Sequence, residues 1–167
     1  GEYSDWLELF NDGSSPVNLS GWRLSDSGDN TEWSIPSGTV LPADSFLLIW
    51  ADGTGTGLHT SFSLSADGEE LTLYNNAGTR GDFIAFPAQL TDVSYGRETN
   101  GASTWGFFDQ PTPRKSNNTS TVFSDYVVQE PVFSISGGFF NSPVIVSIAD
   151  NYNTGTLRYT LDGGVPN

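Results

Sequence analysis

Short runs of alternating apolar and polar residues recur along the chain, and turn residues separate them. In residues 5–10 the alternation places Leu7 and Leu9 on one face of a strand. Residues 46–50 are apolar throughout, which predicts a strand that is covered on both faces. No long segment has apolar residues at helical spacing, so the pattern predicts an all-β protein.

A β-hairpin is the clearest local prediction. Residues 71–74 and 82–86 have strand composition, and the polar, Gly-containing residues 75–79 join them. The 19 Gly and 9 Pro of the chain fall between the apolar runs, as in proteins built from short strands and tight turns. Further short strands are predicted at residues 22–24, 32–35, 93–96 and 104–108.

A polar, Pro-containing stretch at residues 110–121 interrupts the pattern, which then starts again. We therefore predict a first domain at residues 1–118, a linker at 119–130 and a second β-module at 131–167. Three strand-like runs follow the linker, at residues 132–136, 144–148 and 157–161, which is too few for a separate sandwich core. We interpret this second module as truncated.

The formal charge of −14 and the count of six Lys and Arg argue against nucleic acid as a partner, because phosphate binding requires a basic face. The absence of Cys excludes disulfides and thiolate zinc sites. No run approaches the roughly 20 apolar residues of a membrane span. Gly1 begins a strand-like run, so we interpret it as a processing scar and expect any signal sequence to lie outside these residues.

Seven motifs follow one another in a fixed order, at residues 5–11, 19–26, 36–43, 58–60, 64–69, 92–97 and 111–113. Over about residues 5–117 this order resembles a lamin tail domain of the bacterial type. The resemblance implies an immunoglobulin-like β-sandwich that serves as a module of a large secreted or surface protein. Such domains usually have a strand before the first motif, so we expect that strand to be missing and an edge-strand dimer to be possible.

The residues after the linker resemble the C-terminal module of chitobiase and β-hexosaminidase-type proteins. The resemblance covers the first half of that module, which implies a small immunoglobulin-like or fibronectin-like accessory domain without catalytic residues. Its motifs are at residues 130–133, 138–140, 142–144 and 158–166.

His59 is the sole histidine, and no Gly-x-Ser-x-Gly nucleophile motif occurs in the chain. We predict a structural role for it at a junction between a loop and a strand. Asp67, Glu69 and Glu70 form the densest acidic group, but an extended backbone would point the two glutamates to opposite faces. The sequence therefore predicts no catalytic residue, no cofactor and no enzyme activity.

Asp26, Asp29 and Asn30 lie in a polar loop that could supply oxygen ligands for Ca²⁺. The spacing is not that of an EF-hand, and these residue types are ordinary in turns, so a plain loop without metal is predicted.

Five tryptophans could build a platform for sugars if several lay exposed on one face. We expect at most one or two to be exposed, with Trp22 and Trp50 in the core. The five are Trp6, Trp22, Trp33, Trp50 and Trp105.

The leading prediction is a non-catalytic interaction or spacer module of a secreted or cell-surface multidomain bacterial protein. The alternative is an accessory carbohydrate-binding module of an extracellular hydrolase. In either case the partner is an unknown protein or glycan, and the sequence assigns no binding residue.

Overall fold

The structure is a computed structural model that describes residues 4–28, 32–123, 132–149 and 159–160. It divides into two compact units, Gly1–Asp125 and Tyr126–Asn167. The described residues contain no helix long and apolar enough for a membrane crossing. Strands are the regular elements of the described residues, and the prediction of an all-β protein is confirmed.

Ten strands of the first unit lie within the described residues: β1 (Asp5–Asn11), β2 (Val17–Asn18), β3 (Arg23–Ser25), β4 (Trp33–Ser34), β5 (Val40–Leu41), β6 (Ser45–Ala51), β7 (Glu69–Tyr74), β8 (Arg80–Phe86), β9 (Ser94–Arg97) and β10 (Trp105–Phe108). A four-stranded sheet has the order β4-β3-β7-β8. Three antiparallel pairs accompany it, namely β1 with β6, β2 with β5, and β9 with β10.

The predicted hairpin is formed by β7 and β8. The backbone N–H of Asn75 donates to the carbonyl of Thr79 across the turn at 2.9 Å. The Asn75 side-chain oxygen accepts from the backbone N–H groups of Ala77 and Thr79. The side chain thus satisfies turn donors that the ladder cannot reach.

One hydrophobic core joins the β1–β6 pair to the four-stranded sheet. Leu7 of β1 lies opposite Ile49 of β6, and both side chains point into the core. Leu24 of β3 lies opposite Trp33 of β4 and faces them from the other layer. The buried cluster consists of Leu7, Leu19, Leu24, Trp33, Ile35, Leu41, Ile49 and Phe62.

Residue 123 is hydrogen-bonded into the first unit. Phe107 of β10 and Phe123 exchange two backbone hydrogen bonds, of 2.8 and 3.0 Å. Gly106 permits this approach, because a Cβ there would lie 2.3 Å from the Val122 side chain. The first unit therefore includes residues beyond 118, and the domain boundaries given above stay a prediction.

In the described part of the second unit, β11 (Val132–Phe133) and β12 (Ile148–Ala149) form an antiparallel pair of two residues each. The backbone N–H of Ser134 continues the pair by donating to the carbonyl of Ser147. The alternating runs predicted here thus form strands only at their outer ends. The third predicted run, around residues 157–161, lies mostly outside the described residues.

The prediction that residues 46–50 are covered on both faces is wrong at Trp50. Leu48 and Ile49 are buried, but Trp50 is 36% exposed. Consecutive residues of a strand point to opposite faces, and Ile49 occupies the core face, so Trp50 points away from the core.

Candidate functional site

The face of the β1–β6 pair that points away from the core carries a second set of aromatic residues. Trp6 lies opposite Trp50 at one end of the pair, and Phe10 lies opposite Phe46 at the other. The Phe10 and Phe46 rings stack with their centroids 4.7 Å apart. Because Leu7 and Ile49 face the core, strand alternation places all four aromatic residues on the outer face.

The aromatic row, as we name Trp6, Trp50 and His59, runs across three neighbouring chain segments on this outer face. Trp6 pairs with Trp50 in the antiparallel ladder, and Trp50 forms a parallel bridge with His59. The Trp50 N–H donates to the Leu58 carbonyl, and the Thr60 N–H donates to the Trp50 carbonyl, both within 2.9 Å. Residues paired in this way point to the same face of a sheet, which places the three side chains next to one another on the outer face.

A hydrogen-bonded pair lies at the His59 end of the row. The His59 Nδ1 atom is 2.6 Å from Oδ2 of Asp52. The other Asp52 oxygen accepts from the backbone N–H and the hydroxyl of Thr54, at 3.1 and 2.9 Å. The hydrogen bond from His59 lowers the pKa of Asp52, and the bonds from Thr54 add to the effect. Asp52 is therefore a fixed carboxylate that orients the imidazole.

Asp52 and Thr54 are not among the candidate residues that the sequence pattern indicates. The signal that could have identified them is the order Asp-Gly-Thr. An Asp side chain that accepts from the residue two positions on is a common turn. The same turn points the second carboxylate oxygen toward His59, seven residues along the chain.

The remaining tryptophans differ in their surroundings. Trp33 is buried in the core. Trp22 packs against the core cluster and remains partly exposed. Trp105 contacts the Tyr95 ring, with centroids 5.9 Å apart, and the Arg97 guanidinium lies 4.6 Å from its centroid. The prediction that Trp50 belongs to the core is wrong.

The three acidic residues considered for catalysis have different surroundings and do not form one site. Glu69 accepts a 2.7 Å hydrogen bond from the backbone N–H of Ser65, which fastens the turn before β7. Glu70 is exposed and lies next to it in β7, where alternation points it to the other face. Asp67 is exposed in the turn itself. The three carboxylates do not converge on a cleft.

The polar loop after β3 brings Asp26 close to Glu32. The Asp26 N–H donates to the Glu32 carboxylate at 3.1 Å. Burial is the main cause that raises the pKa of Asp26 to about 6, and the hydrogen bond and negative charge of Glu32 contribute, with a smaller effect of Glu69. Asp29 and Asn30 lie outside the described residues. Within the described ranges, no group of three or more His, Asp or Glu side chains could hold a metal ion.

Glu8 occupies the middle of the outer face, opposite Leu48. The Arg114 backbone N–H donates to its carboxylate at 2.7 Å. Burial raises the pKa of Glu8, and the hydrogen bond and charge of Arg114 offset part of that effect. The chain after β10 therefore reaches this face of the β1–β6 pair.

The family model described as Lamin Tail Domain matches residues 1–87, which is more than half of the 167 residues. The chain belongs to the lamin tail domain family. The matched residues include β1 to β8 and the whole aromatic row of this lamin tail domain. No curated protein and no solved structure matches the chain.

Membership confirms the predicted immunoglobulin-like β-sandwich for the first unit. It makes the chain a binding or structural module, and the matched family is not a catalytic one. Fold alone does not select a ligand, so a binding function has to be argued from surface residues.

The second unit contains a groove of about 570 Å³ with apolar walls. Phe133, Ile135, Phe140 and Val146 line it together with Ser136 and two glycines. No titratable side chain lies among these lining residues, so the groove offers no group for acid–base chemistry.

Proposed function

We propose that this lamin tail domain is a non-catalytic interaction or spacer module of a secreted or cell-surface multidomain bacterial protein. The observation that carries the proposal is the use of its polar side chains. Three polar side chains each form a hydrogen bond within a loop or turn. His59 is bonded to Asp52, Glu69 accepts from the Ser65 N–H, and Arg97 donates to the Ala102 carbonyl. Polar side chains that stabilise separate loops, and do not meet in one site, favour the function of a rigid module that presents its surface to partners.

The proposed setting rests on composition and on the second unit. A charge of −14 keeps a surface well hydrated, and a chain without Cys needs no oxidising compartment for its stability. We interpret the second unit as a module of the chitobiase C-terminal type, used as an accessory domain. Modules of this kind connect or orient neighbouring domains.

One immunoblot tests the location and the multidomain setting together. Antibodies against this chain are applied to the culture medium, to intact cells and to permeabilised cells of the source bacterium. We expect signal from the medium or from intact cells, carried by a polypeptide much longer than 167 residues. Signal that requires permeabilisation would contradict the location, and a band of this chain's own size would contradict the multidomain setting.

A second candidate is an accessory carbohydrate-binding module, which the exposure of Trp50 favours. A glycan array probed with and without Ca²⁺ tests it. Binding without Ca²⁺ supports an aromatic site, whereas binding that requires Ca²⁺ assigns the role to the acidic loops. The absence of binding in both conditions removes this candidate and leaves the interaction or spacer function.

Self-association through the edge of β1 is proposed as a further property. β1 pairs with β6 on one side, and no other described strand pairs with it. An unpaired edge can accept a strand from a second copy. Size-exclusion chromatography with light scattering should show a dimer at high concentration, and a monomer at every concentration would rule this out.

A further inference from the structure

We propose that the aromatic row of Trp6, Trp50 and His59, together with Asp52, is a binding subsite for uncharged pyranose rings. The inference deepens the carbohydrate-binding candidate above and rests on it. It assigns the site to one face of the β1–β6 pair and states the chemistry of the sugar.

The shape of the row suits a flat ligand. Adjacent segments of a sheet lie about 4.8 Å apart, so three side-by-side rings span about 10 Å, roughly the length of two linked sugar rings. Trp50, at the centre, is 36% exposed, and the side chain of His59 is 39% exposed. Aromatic ring faces carry partial negative charge, which favours contact with the weakly positive C–H groups of a pyranose face.

The hydrogen bond to Asp52 gives His59 a defined role in this site. A carboxylate that accepts from Nδ1–H fixes the tautomer, which leaves Nε2 as an acceptor in the neutral ring. No described residue hydrogen-bonds Nε2. A sugar hydroxyl can donate to the neutral Nε2 and can also accept from Nε2–H when the ring is protonated. Asp52 is therefore a positioning residue, and His59 and Trp50 contact the sugar.

The charges around the row select against acidic ligands. The Asp52 carboxylate lies at one end, and Glu8 occupies the next pair along the same face. The positive charge of Arg114 interacts with the Glu8 carboxylate, so the two charges partly cancel. The row contains no Lys or Arg, and its imidazole is paired with the Asp52 carboxylate. Repulsion from Asp52 weakens the binding of sulfated, phosphorylated or uronic acid sugars, whereas the affinity for an uncharged ring is not reduced by these charges.

The chain offers a matched control for the central residue. Phe83 of β8 is 38% exposed, close to the value for Trp50, and it belongs to the four-stranded sheet. Trp50→Ala and Phe83→Ala thus remove equally exposed aromatic rings from different sheets. Trp50→Phe keeps a smaller ring at the same place and covers the case in which the alanine variant does not fold.

The test is isothermal titration of the whole chain and its variants with cellohexaose and chitohexaose, which are uncharged. A heparin hexasaccharide is the acidic comparison. We expect the uncharged hexasaccharides to bind, Trp50→Ala to weaken binding about tenfold or more, Trp50→Phe to weaken it less, and Phe83→Ala to leave it unchanged. The heparin hexasaccharide should not bind.

Nuclear magnetic resonance of the unmodified chain gives a reading that does not depend on any variant. Because His59 is the sole histidine, ¹⁵N-histidine labelling reports on this imidazole alone. Bound cellohexaose should shift the Nε2 resonance more than the Nδ1 resonance. In Asp52→Asn the imidazole should lose its single tautomer, and the hexasaccharide should bind more weakly.

The outcomes separate the site from the wider function. Binding that Trp50→Ala leaves intact, without a change at His59, would overturn this site and retain the carbohydrate function. Stronger binding of the heparin hexasaccharide would overturn the stated ligand chemistry. No binding of any of the three oligosaccharides would overturn the inference together with the carbohydrate-binding candidate.

Discussion

The two units of the chain place similar apolar residues in opposite environments. In the first unit Leu24, Ile35 and Ile49 are almost completely buried. In the described part of the second unit Phe139 is fully exposed and Ile145 is 89% exposed. Apolar residues occur in both units, so their presence alone does not produce a core.

The difference lies in strand pairing. β1 and β6 pair over seven residues, and the core face of that pair meets a four-stranded sheet. β11 and β12 pair over two residues, and the residues between them form no further described strand. An alternating run buries one face only when ladders and a facing layer hold it in place. A segment can therefore have the residue pattern of a strand and still form no core.

The largest expected difference between the units is in their resistance to protease. Chymotrypsin should cleave first beside Phe139 or Phe140, which are exposed and lie outside any strand. Phe107 and Phe108 are buried, so cleavage there requires opening of the first unit. For a typical domain stability this slows cutting about a thousandfold or more. Mass spectrometry of early products checks the order, and a first cut within β1 to β10 would contradict it.

A pair of isoleucine truncations gives the next largest effect. Ile49→Ala removes atoms from a side chain without solvent exposure and should lower the free energy of unfolding by about 3–4 kcal/mol. Ile145→Ala removes them from an exposed side chain and should cost less than about 0.5 kcal/mol. Urea denaturation monitored by tryptophan fluorescence measures the first value, and circular dichroism can follow both. An equal loss of unfolding free energy in the two variants would show that the difference in burial does not affect stability.

A pair of glycine substitutions should show a smaller contrast of the same kind. Gly68 has a φ of +88°, and a Cβ there would lie 2.6 Å from the Phe86 carbonyl oxygen. Gly68→Ala should therefore cost about 2–3 kcal/mol through backbone strain and overpacking. A Cβ added at Gly137 in the second unit would meet no described atom within 4 Å, so Gly137→Ala should be nearly neutral. Thermal unfolding compares them, and an equally neutral Gly68→Ala would show that the turn before β7 can relax.

The smallest expected effect is on the pH dependence of the first unit. The folded pKa of Asp26 is about 6, against an ordinary value of 3.8. The folded state therefore binds the proton more tightly, and the associated stability is complete below about pH 4 and is lost as the pH rises through 6. Solvent screening of this partly exposed group limits the effect to about 1 kcal/mol.

Asp26→Asn should reduce the fall in stability between pH 4 and pH 7, as measured by urea denaturation at several pH values. The raised pKa of Glu8 acts in the same direction, so part of the fall should persist. Asp67→Asn, at an exposed turn position, is the matched control and should leave the profile unchanged. A profile in Asp26→Asn identical to that of the unaltered chain would contradict the assignment.

Much of the fold of the first unit could be predicted because its information is local. Alternation at residues 5–10 corresponds to β1, and the two runs around residues 75–79 correspond to the β7–β8 hairpin. Trp50 could not be placed in this way. A continuous apolar run does not show which of its residues meet a second layer, and that depends on how the remainder of the chain folds over the strand.

The sequence by itself determined the all-β class, the positions of most strands and the acidic surface without thiols. These follow from residue-level properties, namely side-chain period, turn chemistry and charge. Tertiary structure alone decided which faces are covered and which distant residues meet. Trp6, Trp50 and His59 form one row because two different ladders place them side by side, and Asp52 orients His59 because an intervening loop returns to the sheet. Pairing register between distant segments is a property of the packed chain, and no local pattern specifies it.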